Sequence, residues 1–194
     1  MKGRIIDCSL KVLAAFGFRK FTMDRVAADL QISKRTIYLH FSSKDELLET
    51  CLEEWLHRKR LLVRTGGNLI DDLCMLRAAI RTLDLPRIMR CCRELRQCSA
   101  PVHRFLLARL FDYAEACGAQ AELDVNTGYL CRTVSQQTVC TVVSDLLIRL
   151  FCSDDVRPLL RGYSFSPDIL VVFTRGLCTI KGRAYLDQRL KTLS

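Results

Sequence analysis

Most side chains of residues 34–40 are of the types that contact nucleic acids, and the helical pattern leaves them pointing largely away from the buried face of a short helix. Ser33 can cap this helix, while Ile37 and Phe41, four residues apart, predict its inward face. Because so short a helix can enter a DNA major groove with its first residues nearest the base edges, the pattern indicates a DNA-binding surface. The outward positions carry cations, hydroxyl groups and an imidazole: Lys34, Arg35, Thr36, Tyr38 and His40.

A second short helix is predicted just before this one. Thr22 is an N-cap residue, and the apolar side chains of residues 23–30 recur at the 3.6-residue period of an α-helix. The pattern breaks at residues 31–33, which predicts a turn. Residues 22–44 therefore contain a helix-turn-helix that runs into the start of a further helix.

This stretch resembles the N-terminal signature of the tetracycline-repressor (TetR) family of transcriptional regulators. The resemblance covers roughly residues 4–50. It departs from the family at Gln31, where many members have glycine; since that turn position often needs a positive φ, we expect a strained or altered turn. The matching residues are Gly17, Thr22, Val26-Ala27, Ser33, Tyr38-Leu39-His40-Phe41 and Lys44.

Part of this motif has the chemistry to bind phosphate groups. Phosphates accept hydrogen bonds from hydroxyl groups, from N–H groups at helix N-termini and from cations. Such contacts position a protein on DNA without reading its sequence. The residue types, and the family resemblance, imply DNA backbone contacts for Thr22, Tyr38, His40 and Lys44.

The start of the second helix is the candidate for reading base edges. Lys and Arg can donate hydrogen bonds to guanine acceptors, and Thr can touch a thymine methyl group. For Arg35, contact with a base and contact with a phosphate both stay open at this stage. The base-contact candidates are Lys34, Arg35 and Thr36, with Met23 as an additional apolar contact.

Composition favours a polyanionic partner and an intracellular protein. The chain of 194 residues has 30 Lys+Arg against 21 Asp+Glu, a net charge of +9. The N-terminal apolar run is interrupted by Asp7 and Lys11, and the charge-free run over 133–144 is too short to cross a membrane. We therefore expect a cytoplasmic protein without a membrane partner.

The eleven cysteines are scattered and form no CxxC pair and no Cys/His spacing typical of a zinc site. We expect reduced thiols that pack as small apolar residues, and neither a metal nor a cofactor. The alternative is a thiol-based redox regulator, suggested by Cys91, Cys92 and Cys98. Cys91 and Cys98 lie two helical turns apart, about 10 Å, too far for a disulfide without rearrangement. The sequence has no catalytic motif, so we expect no enzyme.

The rest of the chain predicts an all-α protein of about nine or ten helices in two domains. Residues 1–47 form the three-helix DNA-binding domain, and residues 48–194 form a larger domain for effector binding and dimerisation. A connector helix from about Ser43 to Arg64 joins them. The further helices are predicted at about 69–84, 87–99, 102–117, 127–152, 167–181 and 183–192.

The resemblance implies a homodimer and a regulated DNA affinity. Helices 127–152 and 167–181 carry wide apolar stripes and resemble the pair that forms a dimeric four-helix bundle in the family. Family members generally bind a small-molecule effector among the helices after the connector, which here implies a repressor released from operator DNA. The candidate polar groups of that pocket are Arg77, His103, Arg109, Tyr113 and Gln137.

Overall fold

A computed structural model describes residues 1–152 and 166–193 of the chain. These residues form an all-α fold without a β-strand, which confirms the predicted class; a single isolated bridge pairs Leu130 with Cys178. The helices are α1 (Lys2–Phe16), α2 (Met23–Leu30), α3 (Lys34–Tyr38), α4 (Lys44–Arg58), α5 (Leu69–Arg81), α6 (Leu85–Cys98), α7 (Ala100–Asn126), α8 (Gln136–Cys152), α9 (Ile169–Leu177) and α10 (Ile180–Thr192).

Helices α1–α3 form the reading head, and its capping follows the sequence pattern. The Thr22 side chain accepts a hydrogen bond from the Arg25 N–H at 3.2 Å, and Ser33 accepts one from the Thr36 N–H at 3.0 Å. Each cap satisfies a donor that the first turn of its helix leaves unpaired.

The turn between α2 and α3 contains a residue in the left-handed conformation, although this residue is not glycine. Gln31 has φ 55° and ψ 42°, and its N–H donates to the carbonyl groups of Ala27 and Ala28. Of the two expected outcomes, a strained or an altered turn, the structure has the strained one. A residue with a Cβ in the left-handed conformation raises the conformational energy of the backbone by about 1 kcal/mol.

The connector α4 ends at Arg58, so the prediction that it continues to about Arg64 is wrong. Arg60 and Leu62 adopt positive φ values of 53° and 57°, which stop the helix. The Leu61 N–H donates to the Leu56 carbonyl at 2.9 Å and the Leu61 side chain is buried. This bond closes the helix end in the manner of a Schellman motif, without the glycine that usually announces one.

A buried polar cluster holds the segment after α4 against α5 and α7. Asp72, at the centre of the cluster, is fully buried. Its carboxylate accepts hydrogen bonds from Arg64 Nε at 2.5 Å, from the Thr65 N–H at 2.6 Å and from the Thr65 hydroxyl at 2.7 Å. Arg64 also donates to Gln120 at 3.1 Å, and Gln120 donates to Asp124 at 3.0 Å.

Several of the helices that follow differ from their predicted limits, and the helix predicted at 167–181 ends at Leu177. Helix α7 extends beyond the predicted end at residue 117, and α8 begins later than residue 127 because residues 127–135 form a turn that pairs with the α9–α10 junction. The Thr179 N–H donates to the Tyr129 carbonyl at 3.0 Å. Its hydroxyl accepts from the Gly182 N–H at 3.2 Å, so α10 begins earlier than predicted.

Helix α6 gives the reading head a second connection to the larger domain besides α4. Helix α6 makes three hydrogen bonds in this connection: Phe18 N–H to Glu94 at 3.1 Å, Arg19 to Gln97 at 2.5 Å, and Arg87 to the Ala14 carbonyl oxygen. Ser99, which follows α6, donates to Asp45 at 2.8 Å. The turn after α1 is thus tied to α6, and the start of α4 is tied to the residue that follows α6.

Candidate nucleic-acid interface

The outer face of α3 presents the polar side chains that the sequence analysis placed there. Ile37 is fully buried, so the helix turns its other side to solvent. Lys34, Arg35 and Tyr38 are exposed, and Thr36 and His40 are partly exposed. The face is therefore accessible along its whole length, as contact with DNA requires.

Three of these residues differ in whether their polar groups already have a partner within the protein. Lys34 Nζ lies 3.0 Å from an Asp24 carboxylate oxygen, and this hydrogen bond raises the pKa of Lys34. The Thr36 hydroxyl lies 2.8 Å from the Ser33 hydroxyl within the helix cap. The Arg35 side chain has no hydrogen bond or ion pair with the residues that the structure describes. Arg35 is therefore the cation of α3 whose donors are most available to a base.

Met23 is buried, so it is not available for the apolar DNA contact that the sequence analysis predicted. Its side chain is 4 % exposed and belongs to the core of the head. The apolar group that does face outward is Leu39, which is 75 % exposed between Tyr38 and His40. Sequence reasoning missed Leu39 because an apolar residue beside a helix end is usually assigned to the core.

The residues that the sequence analysis assigned to contacts with the DNA backbone lie in α3 and close to it. Thr22 keeps its hydroxyl proton available while its oxygen caps α2. Lys44 Nζ lies 5.7 Å from the centre of the Phe21 ring, at the start of α4. A carboxylate also lies here: Glu46 accepts hydrogen bonds from the N–H and the hydroxyl of Ser42, which lower the pKa of Glu46.

Two of the side chains predicted to line the effector pocket already have polar partners within the larger domain. Arg77 forms an ion pair with Asp168 at 2.7 Å, between α5 and the start of α9. Tyr113 is buried and donates its hydroxyl to the Asp72 carbonyl oxygen at 3.3 Å; burial raises the pKa of Tyr113. Both groups therefore join helices to each other in this structure.

The other three candidates lie nearer the surface. Arg109 pairs with Glu53 at 3.0 Å and with Asp112 at 3.3 Å. His103 is partly exposed on α7, and burial lowers its pKa. Gln137 is exposed in the first turn of α8. The five candidates are thus spread over the buried interior and several parts of the surface.

Two cavities lie among the described helices, and their linings differ from the predicted pocket. An open depression of about 420 Å³ between α4 and α7 is lined by Glu49, Thr50, Glu53, Phe105 and Arg109. A narrow gap between α5, α8 and α9 is too small to hold a water molecule. Its lining is wholly apolar: Leu76, Ile80, Val143, Leu146, Leu147, Leu150 and Leu170.

The cysteines of the described residues are free thiols with very different exposure. Burial raises the pKa of Cys51 and of Cys117 to about 12, and that of Cys74 and of Cys178 to about 11. These thiols stay protonated and unreactive at neutral pH, since the thiolate is the reactive form. Cys98, at the end of α6, is exposed. Within the described ranges no three His, Cys, Asp or Glu side chains are arranged to hold a metal ion.

Labelling of the native protein at neutral pH should therefore begin at Cys98. We expect one fast thiol reaction with a disulfide-exchange reagent, and no reaction at Cys51, Cys74, Cys117 and Cys178 until denaturant is added. The Cys98→Ser variant should lose the fast phase. Several fast phases that survive in this variant would favour the thiol-based regulator instead.

No helix in the part of the chain that the structure describes is long and apolar enough to span a membrane.

Comparison with known proteins assigns the head to a family. Residues 5–51 match the sequence profile of the bacterial regulatory proteins of the tetR family. YvaF of Bacillus subtilis is 38 % identical over 64 residues, 33 % of this chain and 33 % of that protein. Rv1556 of Mycobacterium tuberculosis is 30 % identical over 103 residues, 53 % of this chain and 45 % of that protein. Both are named as uncharacterized HTH-type transcriptional regulators, and the chain spans less than half the length of either.

Solved structures share the fold along most of the chain. A Rhodococcus protein described as a TetR-family transcriptional regulator superposes with a TM-score of 0.63 at 18 % identity, over 92 % of this chain and 98 % of that one. The reduced form of NemR from E. coli superposes with a TM-score of 0.62 at 13 % identity, over 92 % and 97 %. Residues 5–51 are thus similar to the bacterial regulatory proteins of the tetR family, and the fold around them is the one seen in solved structures described as TetR-family proteins.

Proposed function

We propose that this regulator binds operator DNA in a sequence-specific manner through residues 1–47, and that residues 48–194 provide effector binding and dimerisation. The observation that carries the proposal is the outer face of α3, where Arg35 is exposed and has no side-chain partner among the described residues. On this proposal Arg35 reads a base edge, and Lys34 and Thr36 contribute once they leave Asp24 and Ser33. Thr22, Tyr38, His40 and Lys44 bind the DNA backbone.

The proposed active form is a homodimer that joins α8 and α9 of two copies. Support comes from the outer face of α9, where Ile169 and Val172 are exposed although both are apolar. Two copies related by a two-fold axis would present two α3 helices to successive major grooves, about 34–36 Å apart. The site on DNA is then roughly palindromic.

The proposed regulation is repression relieved by a small molecule. The gap between α5, α8 and α9 is lined by apolar side chains and has no room for a water molecule, so an effector that enters there would be apolar and would move these helices apart. The effector would shift α4 and α6, which both hold the head, and so change the spacing of the two α3 helices. By linkage the effector and the operator must lower each other's affinity by the same factor, for which about 5–150-fold is ordinary.

Replacement of Arg35 by alanine tests the DNA-reading role directly. Duplexes that the wild-type protein selects from a random pool supply the operator, and single-base variants of it supply the comparison. If Arg35 donates to a base, Arg35→Ala should weaken binding and also reduce discrimination at one base pair by about 1–3 kcal/mol. The measurement is the dissociation constant of each protein for each duplex at fixed salt.

Lys44→Ala is the matched control, because it also removes one cation but is assigned to the DNA backbone. This variant should lose a similar factor on every duplex and keep its base preferences. Uniform loss in Arg35→Ala would assign Arg35 to a phosphate. Equal affinity of the wild-type protein for all duplexes would refute the proposed function itself.

A further inference from the structure

Two lysines, one in α1 and one at the start of α4, rest against two buried aromatic rings of the reading head. Lys44 Nζ lies 5.7 Å from the centre of the Phe21 ring, and Lys2 Nζ lies 5.2 Å from the centre of the Phe41 ring. Phe21 and Phe41 are both buried, so these rings have fixed positions. A lysine that lies over such a ring packs its stem on the core while its ammonium group stays at the surface.

The position of Phe41 places Lys2 at the corner between α3 and α4. Phe41 follows α3, and its N–H donates to the Ile37 carbonyl at 3.0 Å. Lys2 is exposed in the first turn of α1. Its ammonium group therefore lies beside Phe41, in the segment between His40 and Lys44, which are both proposed to bind the DNA backbone.

We propose that Lys2 is a further DNA backbone contact of this protein, equivalent in its packing to Lys44. The inference rests on the proposed DNA-binding function and adds a residue outside the segment that matches the family, which begins at residue 5. The ammonium group would donate to a phosphate oxygen and would position the head without reading a base. The aromatic ring reduces the entropy that the side chain loses in this contact.

The nearest competing role for Lys2 is to balance the charge of Glu46. Glu46 already accepts the N–H and the hydroxyl of Ser42, both at 2.6 Å, at the start of α4. After these hydrogen bonds, the charge of Lys2 lowers the pKa of Glu46 only as a smaller contribution. Within the described residues Lys2 forms no salt bridge within 4.0 Å, so its donors remain available.

The test compares Lys2→Gln with Lys11→Gln. Both lysines are exposed on α1 and both changes remove one charge, but Lys11 lies nine residues along, roughly 13 Å farther from the corner. Affinity is measured for the selected operator and for an unrelated duplex over a series of salt concentrations. If Lys2 of each copy in the dimer neutralises one phosphate, Lys2→Gln should lower the slope of log affinity against log salt by about 1.8, which weakens binding roughly 60-fold near 0.1 M salt. The weakening should be the same on both duplexes.

Lys11→Gln should keep the wild-type slope, and both variants should unfold at the wild-type temperature. An unchanged slope in Lys2→Gln, or equal changes in the two variants, would overturn the proposed role of Lys2. Repeating Lys2→Gln in a Glu46→Gln background separates the competing role, because a weakening that disappears there would mark Lys2 as a counter-charge only. Selective binding by the wild-type protein in the same assay shows that failure of this inference is not failure of the proposed function.

Discussion

Replacing Asp72 with alanine should lower the free energy of unfolding by about 3 kcal/mol, because the change leaves buried donors without an acceptor. The Asp72 carboxylate is buried and accepts from Arg64 and from both the N–H and the hydroxyl of Thr65. Arg64 is 30 % exposed, so water can solvate part of the released guanidinium, which moderates the destabilisation. Urea unfolding at one fixed protein concentration measures the effect.

Asp112→Ala is the control for this measurement. Asp112 also pairs with an arginine, Arg109 at 3.3 Å, but the pair is exposed on α7. An exposed pair of this kind contributes at most roughly 1 kcal/mol, so the variant should unfold close to the wild-type protein. Similar destabilisation of the two variants would mean that the cluster around Asp72 does not hold the segment after α4 in the way described.

The reading head can be predicted from sequence because its signals are local. Thr22 and Ser33 each cap the helix that follows, and this capping depends only on residue type and on the next few positions. The departure at Gln31 is visible for the same reason, and this residue adopts the positive φ that the turn needs. The family profile covers this same stretch, residues 5–51.

The sequence predictions are wrong where contacts distant in sequence decide the outcome. Residues 59–64 continue a helical pattern, yet α4 ends at Arg58, where Leu61 turns into the core and Arg64 reaches Asp72. The sequence position of Met23 is compatible with a base contact, but its side chain is buried, and this burial depends on how α1 packs on α2.

The pocket candidates show the same limit. Arg77 pairs with Asp168, 91 residues away, and no local pattern announces that contact. The predicted helix pair for the dimer rests on apolar stripes, which cannot by themselves separate a core from an interface. The structure divides α9 into a buried side with Leu170 and Thr174 and an outer side with Val172.

A Val172→Asp change on that outer side should have the largest effect on function. The Val172 side chain is 72 % exposed on α9, and Ile169, three residues earlier and on the same side of the helix, is exposed as well. In the proposed dimer this side would be covered by the second copy, so a carboxylate here would be buried without a partner. The variant should become monomeric at concentrations where the wild-type protein is dimeric, as measured by sedimentation.

Loss of the dimer should carry over to DNA, because a dimer that holds one half-site binds the second in an intramolecular step. That advantage is worth about 10²–10⁴ in affinity, so Val172→Asp should bind the operator weaker by such a factor. Its affinity for a single half-site should stay at the wild-type value, since Val172 lies outside the reading head. Leu123→Asp is the matched control: Leu123 is 57 % exposed on α7, outside the α8–α9 pair, and its replacement should leave both the dimer and operator binding intact. A Val172→Asp protein that remains dimeric would place the interface elsewhere on the chain.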